Sequence, residues 1–494
     1  MNSRKSNKYS TSNSSLFSKT NLSNDLQQLY LTIFMAFALY MSVFRNGFYF
    51  KWAESLSIFI NSEYFFHDCM RFAGGLLTYA GAFFTQFYYF PVIGSIIFIA
   101  MLLFIRYLSV IAFDIPIKYR PLAYVPALIL LLSVTQLGYV WLTLKSPGYF
   151  FSNTLGIIVC LLVFRGYRLL AVLGWRIVIA VFFSLVGYPL FGFYALLAIA
   201  LFAIYELLLF FANRNYLHFL PVVSGTALVI VVPQIYYNYV YSYMQYVQIY
   251  TAGLPRFNFD SKEFILWIPF ILLFVTLFLF LGFAVRKKDK SLKNQKSHIP
   301  LLVFCFSMVF VYIFSFSDDN FKTEIKMASA MERNNFREVA YYADQVKGVP
   351  TRNIVLNNNL ARLAIGMPEN RALNISNTVK PNCVRPSMPI ILHMSGRPLF
   401  YLTGQINDCY HWCMEDMVEY GMKSSYLKYM VKSAIVNREY ELARKYNTVL
   451  SETLFYRKWA KKYQAYIDDP SLTENDSEIK AIRSNSEQGI SSDL

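Results

Sequence analysis

The chain has 494 residues and is 56% hydrophobic, 18% aromatic and only 15% charged, against about 25% charged in an ordinary soluble domain. That balance excludes a disordered or collagen-like chain, and six cysteines over this length exclude a small disulfide framework. A formal charge of +16 would suit nucleic acid, but its location argues otherwise. Residues 1–316 carry 23 Lys and Arg against 9 Asp and Glu, while residues 317–494 carry 23 against 21. The basic excess therefore lies among the apolar runs, where it sets orientation, and no nucleic-acid partner is expected.

Residues 1–28 are rich in Ser, Asn and Lys and read as a disordered cytoplasmic tail. The first apolar run, Leu29–Phe44, meets Arg45-Asn46-Gly47 instead of a small-residue cleavage site, so it reads as a retained anchor and not a secretory signal. Further runs near the ~20-residue length that crosses a bilayer lie at about 90–113, 121–140, 150–164, 174–188, 192–212, 217–235, 264–285 and 299–316. Nine crossings are expected. With the tail cytoplasmic, alternate loops hold 17 Lys and Arg, among them the block Arg286-Lys287-Lys288-Lys290-Lys293-Lys296, and the opposite loops hold 6. Cations are retained on the cytoplasmic side, so an odd number of crossings places everything after Phe316 outside.

Glu63–Phe90 in the first outer loop is aromatic yet charged. Helical spacing sets Phe66, Met70, Ala73 and Leu77 on one face, while Gly74-Gly75 weakens the helix; interfacial or re-entrant helices are expected there. The segment Tyr236–Tyr250, with its many tyrosines, reads as an outer interface belt. Beyond the spans, Asn334–Val346 and Arg438–Leu450 each follow a polar turn with an aromatic (Phe336, Tyr440) and then small or apolar residues (Val339 and Ala343; Ala443 and Leu450). This is the logic of tetratricopeptide-like helical hairpins. The expected fold is all-α: a transmembrane domain over 29–316 with about nine spans, a soluble helical-hairpin domain over 317–470, and a flexible tail over 471–494.

Gly74–Gly94, Asn357–Arg371 and Phe455–Tyr463 resemble a family of uncharacterised bacterial multi-pass membrane proteins with tetratricopeptide-like C-terminal regions. The resemblance implies architecture and no activity. The layout is also similar, at the level of fold, to membrane glycosyltransferases that use lipid-phosphate sugars, which would imply a polyprenyl-phosphate donor at the outer face of the inner membrane.

Such a transferase needs a carboxylate to accept a proton and a cation near the departing phosphate. Glu54, Glu63 and Asp68 are the candidate catalytic carboxylates, with Arg71 and His67 for phosphate. The plainer alternative is that these five keep an interfacial loop wet, with Asp68 and Arg71 an ordinary pair. Glu206 lies inside an apolar run, where a carboxylate is expensive and usually partnered; Arg176 or Arg214 is its expected partner. Gln136 and Gln234 read as interhelical hydrogen-bonders. Cys409-Tyr410-His411-Trp412-Cys413 lacks the second ligand cluster a zinc site needs, so neither metal nor other cofactor is expected. An oxidising compartment would allow Cys409 or Cys413 to pair with Cys383. Two functions follow: an envelope sugar transferase, or a non-enzymatic scaffold anchored in the bilayer, whose outer helices bind periplasmic proteins.

Overall fold

The computed structural model describes residues 25–257, 262–286, 298–366, 376–383, 385 and 390–487. The basic block from Lys287 to Lys296, and most of the N-terminal tail, lie outside them. The described residues are helical apart from turns and one isolated bridge between Thr351 and Val379.

Helix α1 (Asp25–Arg45) leads into three short helices, α2 (Gly47–Ser55), α3 (Glu63–Met70) and α4 (Gly75–Thr85). Then come α5 (Pro91–Phe113), α6 (Val125–Thr135), α7 (Tyr149–Leu169), α8 (Leu173–Phe191), α9 (Phe193–Asn213), α10 (Phe219–Tyr239), α11 (Ile268–Val285) and α12 (Ile299–Phe314). Among the described residues eight helices, α1 and α5 to α11 with their flanking turns, are long and apolar enough to cross a membrane. A ninth candidate passes only when α12 is taken together with α13 (Asp319–Glu332), into which it bends by 67°. The protein is thus an integral membrane protein with the spans its apolar runs announce. At 23 residues, α5 is about 34 Å long, enough for a ~30 Å hydrocarbon layer. Pro91, Pro269 and Pro300 start their helices, where proline's missing N–H costs no bond.

Glycines decide how the first loop meets the bundle. Gly74, Gly192 and Gly253 all have left-handed backbones, and a Cβ on Gly74 would lie 3.2 Å from the Cα of Gly253. The Gly74 N–H donates to Pro189 O at 2.9 Å and the Phe193 N–H to Ala252 O at 2.7 Å. Further along, a Cβ on Gly81 would sit 2.4 Å from Gly148 O. Helix α4 therefore packs on α7 and α8, with Leu77 and Ala82 buried.

Contacts at the two ends of the bundle alternate with chain order. At one end Arg168 reaches Asp114 at 2.7 Å and Ala284 O at 3.2 Å, and Arg120 reaches Gln27 at 2.7 Å. At the other end Gly74 meets Gly192 and Gly253, and the Phe316 N–H donates to Thr135 O at 3.0 Å. The chain after α12 stays at this second end, opposite the start of α1.

There α13, capped by the Asp318 side chain, begins a run of helices: α14 (Phe336–Asp344), α15 (Arg352–Ala364), α16 (Arg397–Leu402, entered through a π-turn), α17 (Ile406–Tyr420), α18 (Ser424–Val436), α19 (Tyr440–Ser451), α20 (Arg457–Asp468) and α21 (Ser477–Glu487). Sequence neighbours pack on each other, with Val339, Ala343, Ala443 and Leu450 buried as the hairpin pattern requires. The polar end, expected to fray, is instead helical to Glu487. Ile479 and Ile482 are buried, and Lys432 pairs with Glu478 at 2.8 Å; two apolar residues one turn apart suffice to seat it.

If the α4–α7 approach holds the loop in place, Gly81→Ala costs about 1–3 kcal/mol of stability by overpacking. Gly282→Ala, with nothing within 4 Å of its new Cβ, costs nothing. Thermal unfolding of the two variants in detergent distinguishes them, and equal melting points would refute the close approach.

Candidate functional site: the seam between spans and hairpins

The first-loop candidates separate into two environments. On α3, whose N-terminus is capped by Ser62, His67 lies 3.5 Å from Glu63 and Arg71 lies 3.5 Å from Asp68; all four side chains are well exposed. These are solvent-facing pairs along one helix. An aromatic cluster beneath them, Phe59, Phe65, Phe66 and Tyr79, holds the helix down. Glu54, on α2, is only 5% exposed and accepts a hydrogen bond from the Tyr456 hydroxyl at 2.6 Å.

Glu54 thus belongs to a seam between the spans and the C-terminal helices. Tyr456 ends the turn before α20. Lys428, on α18, sits 4.2 Å from its ring centroid and 3.8 Å from Glu332. The Ser424 hydroxyl donates to Ser55 O at 2.9 Å. Phe455 stacks on Tyr89, 5.0 Å between centroids and 5° between planes. Burial pushes the Glu54 carboxyl up to about 8, with the Tyr456 hydrogen bond and the Lys428 charge pulling it back. The cavity beside Glu54 measures about 10 Å³, room for one water at most.

A second part of the seam is ionic. The Arg385 guanidinium binds Glu263 through two nitrogens, at 2.8 and 3.1 Å, and donates to Thr143 O at 2.8 Å. Lys145 pairs with Glu419, and the Lys423 ammonium donates to Leu142 O at 3.3 Å. Burial, reinforced by the Arg397 charge, lowers Lys423 to about 7, against the pull of Asp416. Asp416 accepts from Arg397 at 3.1 Å and faces His393 Nδ1 at 3.2 Å. Burial would raise Asp416, but the His393 hydrogen bond and Arg397 hold it below the usual carboxylate range. Burial keeps His393 below its ordinary value. His393 and Asp416 line an open groove of about 650 Å³ along α17, edged by Leu392, Trp412, Val418 and Tyr420, of which Val418 is 81% exposed.

At the opposite end of the bundle Glu206 is fully buried. Its carboxylate meets Arg176 at 2.7 Å, the Tyr167 hydroxyl at 3.0 Å and His218 Nδ1 at 2.6 Å, which ties α7, α8, α9 and the turn before α10 together. Arg176 is one of the two partners the sequence offered. Tyr167 and His218 carry no sequence signal that marks them as its neighbours. Gln136 donates to Leu266 O at 3.1 Å and Gln234 to the Tyr250 hydroxyl at 3.1 Å. None of the six cysteines is bonded to another; Cys409 and Cys413 are buried on α17, His411 pairs with Glu415, and among the described residues no group of side chains could hold a metal.

The raised Glu54 carboxyl makes the seam pH-sensitive. A solvated carboxyl ionises near 4.5, whereas Glu54 in the seam keeps its proton to about 8. Over that window the undocked form loses its proton first, so docking weakens as pH rises, by on the order of tenfold per pH unit at most. Lys423 works the other way, restoring stability only above about 7. Hydrogen exchange of the amides around Tyr456, compared between wild type and Glu54→Gln at about pH 5 and about pH 7, isolates the Glu54 share. Exchange in the variant is expected to lose most of its pH dependence relative to wild type after correction for intrinsic rates.

No curated protein and no solved structure matches this chain. A family model described as "Family of unknown function (DUF6057)" matches residues 23–493, taking in the spans, the seam and the hairpins together, and the chain belongs to that family.

Proposed function

We propose that the protein is a non-enzymatic platform in the inner membrane of a bacterium, whose outer helices hold partner proteins during envelope assembly. In this reading residues 29–316 form the membrane domain, the helices from 317 stand in the periplasm, and the N-terminal tail is cytoplasmic. The 17 Lys and Arg of the tail-side loops against 6 opposite support that orientation, as does the placement of the C-terminal helices at the end of the bundle opposite the start of α1.

The observation that carries the reading is how the space around Glu54 is used. A general base must reach the proton it abstracts; this carboxyl is hydrogen-bonded to Tyr456 beside a cavity of about 10 Å³. Sugar transfer from a polyprenyl phosphate, with Glu63 or Asp68 as base and Arg71 or His67 at the phosphate, is the weaker reading because each of those groups already faces a neighbour in solvent. The α17 groove, by contrast, is open and aromatic-edged, as protein-binding surfaces often are.

Val418→Asp with Trp412→Ala, both on the groove, is expected to remove co-purifying proteins at unchanged protein level and unchanged surface glycans. Asp68→Ala with Glu63→Ala is expected to change neither; loss of a glycan in that variant would reverse the assignment. Orientation is checked separately. In a cysteine-free background, Glu415→Cys should react with an impermeant maleimide in intact spheroplasts, and Lys5→Cys should not.

A further inference from the structure

Where α1 ends, the chain builds a crevice that neither the seam nor the groove uses. It measures about 110 Å³, several times the roughly 10–15 Å³ that one water needs by the same measure. Its floor is aromatic, from Tyr49, Phe316 and Phe321, and its rim carries Arg45, Lys322 and Lys326. Arg45 donates to Tyr312 O at 3.1 Å and lies 4.4 Å from that ring's centroid. The Lys326 ammonium stands 5.0 Å from Phe48 and 5.5 Å from Tyr342. Among the described residues neither Arg45 nor Lys326 has a carboxylate partner. Lys322 pairs with Asp319 at 3.1 Å. One carboxylate, Asp318, also lines the crevice, and it accepts from the Phe321 N–H at 3.0 Å. The balance at the rim remains positive.

The surroundings say what approaches it. Phe44 is 79% exposed, and Ile313 and Phe314 are exposed beside it at the last turn of α12. Both helices end at the crevice, so an apolar, outward-facing wall runs straight up to a cationic rim. We propose that this crevice seats the phosphate of an anionic membrane lipid, with its acyl chains along α1 and α12. Guanidinium and ammonium groups supply charge-assisted donors to the phosphate oxygens, and the aromatic floor meets the glycerol and upper chain. This site is independent of the platform reading.

Full-length protein purified in mixed phosphatidylglycerol and phosphatidylcholine nanodiscs, then released for native mass spectrometry, tests the site. Wild type should retain phosphatidylglycerol over phosphatidylcholine, and Arg45→Gln with Lys326→Gln should weaken that retention by on the order of tenfold. Lys51→Gln, an exposed cation on α2, should leave it unchanged. If the double variant melts early, the single Lys322→Glu, at an already half-exposed position, is read instead, with the same loss expected. Equal retention of the two lipids, or wild-type retention in the crevice variants, overturns the proposal. Binding of inorganic phosphate at this rim without phosphatidylglycerol retention also overturns it, in favour of a free-phosphate site.

Discussion

Two buried carboxyls, Glu54 and Glu206, hold opposite ends of this protein together, and each must avoid becoming an unpaired charge in a poor solvent. An isolated buried carboxylate costs several kcal/mol, so its partners are fixed as soon as the carboxyl is. Glu206 gathers an arginine, a histidine and a tyrosine from three neighbouring segments, which makes it a permanent tie among α7, α8, α9 and the turn into α10. Glu54 gathers one tyrosine, with a lysine near that ring, and keeps its proton instead. The first arrangement is insensitive to whether the C-terminal helices are docked; the second exists only when they are.

That difference bears on what the C-terminal helices can do. A module on a flexible linker samples a volume set by the linker's length. Here α18 and the turn before α20 meet α2 through Ser424 and Tyr456 and meet Tyr89 through Phe455, while Arg385 and Lys423 reach the loops around Thr143 and Glu263. The α17 groove is therefore held at a fixed height over the bundle, with His393 and Asp416 in its lining and its Glu419 paired with Lys145 of the seam. A partner bound there meets a surface already ordered, and little conformational entropy remains to be lost on binding.

The spans were legible in the sequence because apolar length and alternating cations are local properties. Leu29–Phe44 and the run near 264–285 needed no tertiary knowledge to identify, and Glu206 was conspicuous because a carboxylate among leucines must have a partner. The hairpins were legible for the same reason, through Val339 and Ala343 or Ala443 and Leu450 at helical spacing. The seam was not. Glu54 and Tyr456 are separated by 402 positions and Arg385 and Glu263 by 122, and no periodicity relates residues that far apart. Glu54, Glu63 and Asp68 shared one loop as candidate carboxylates, and nothing local marked that the end of α2 turns Glu54 inward and leaves the other two exposed on α3. The helical end at Ser477–Glu487 was missed because its polar residues outnumber the two isoleucines that seat it.

The abundance of aromatic residues has a second use besides marking the membrane boundary. At the tail end of the bundle two arginines find oxygen: Arg168 takes Asp114 and the Ala284 carbonyl in the last turn of α11, and Arg176 takes Glu206, as the free carbonyls at helix C-termini invite. At the hairpin end several cations lean on rings: Arg45 on Tyr312, Arg256 on Phe72, Lys326 on Phe48. A ring face attracts a cation without neutralising it. Charge placed this way stays available to an anion arriving from the lipid, which a salt-bridged cation could accept only by breaking its own pair.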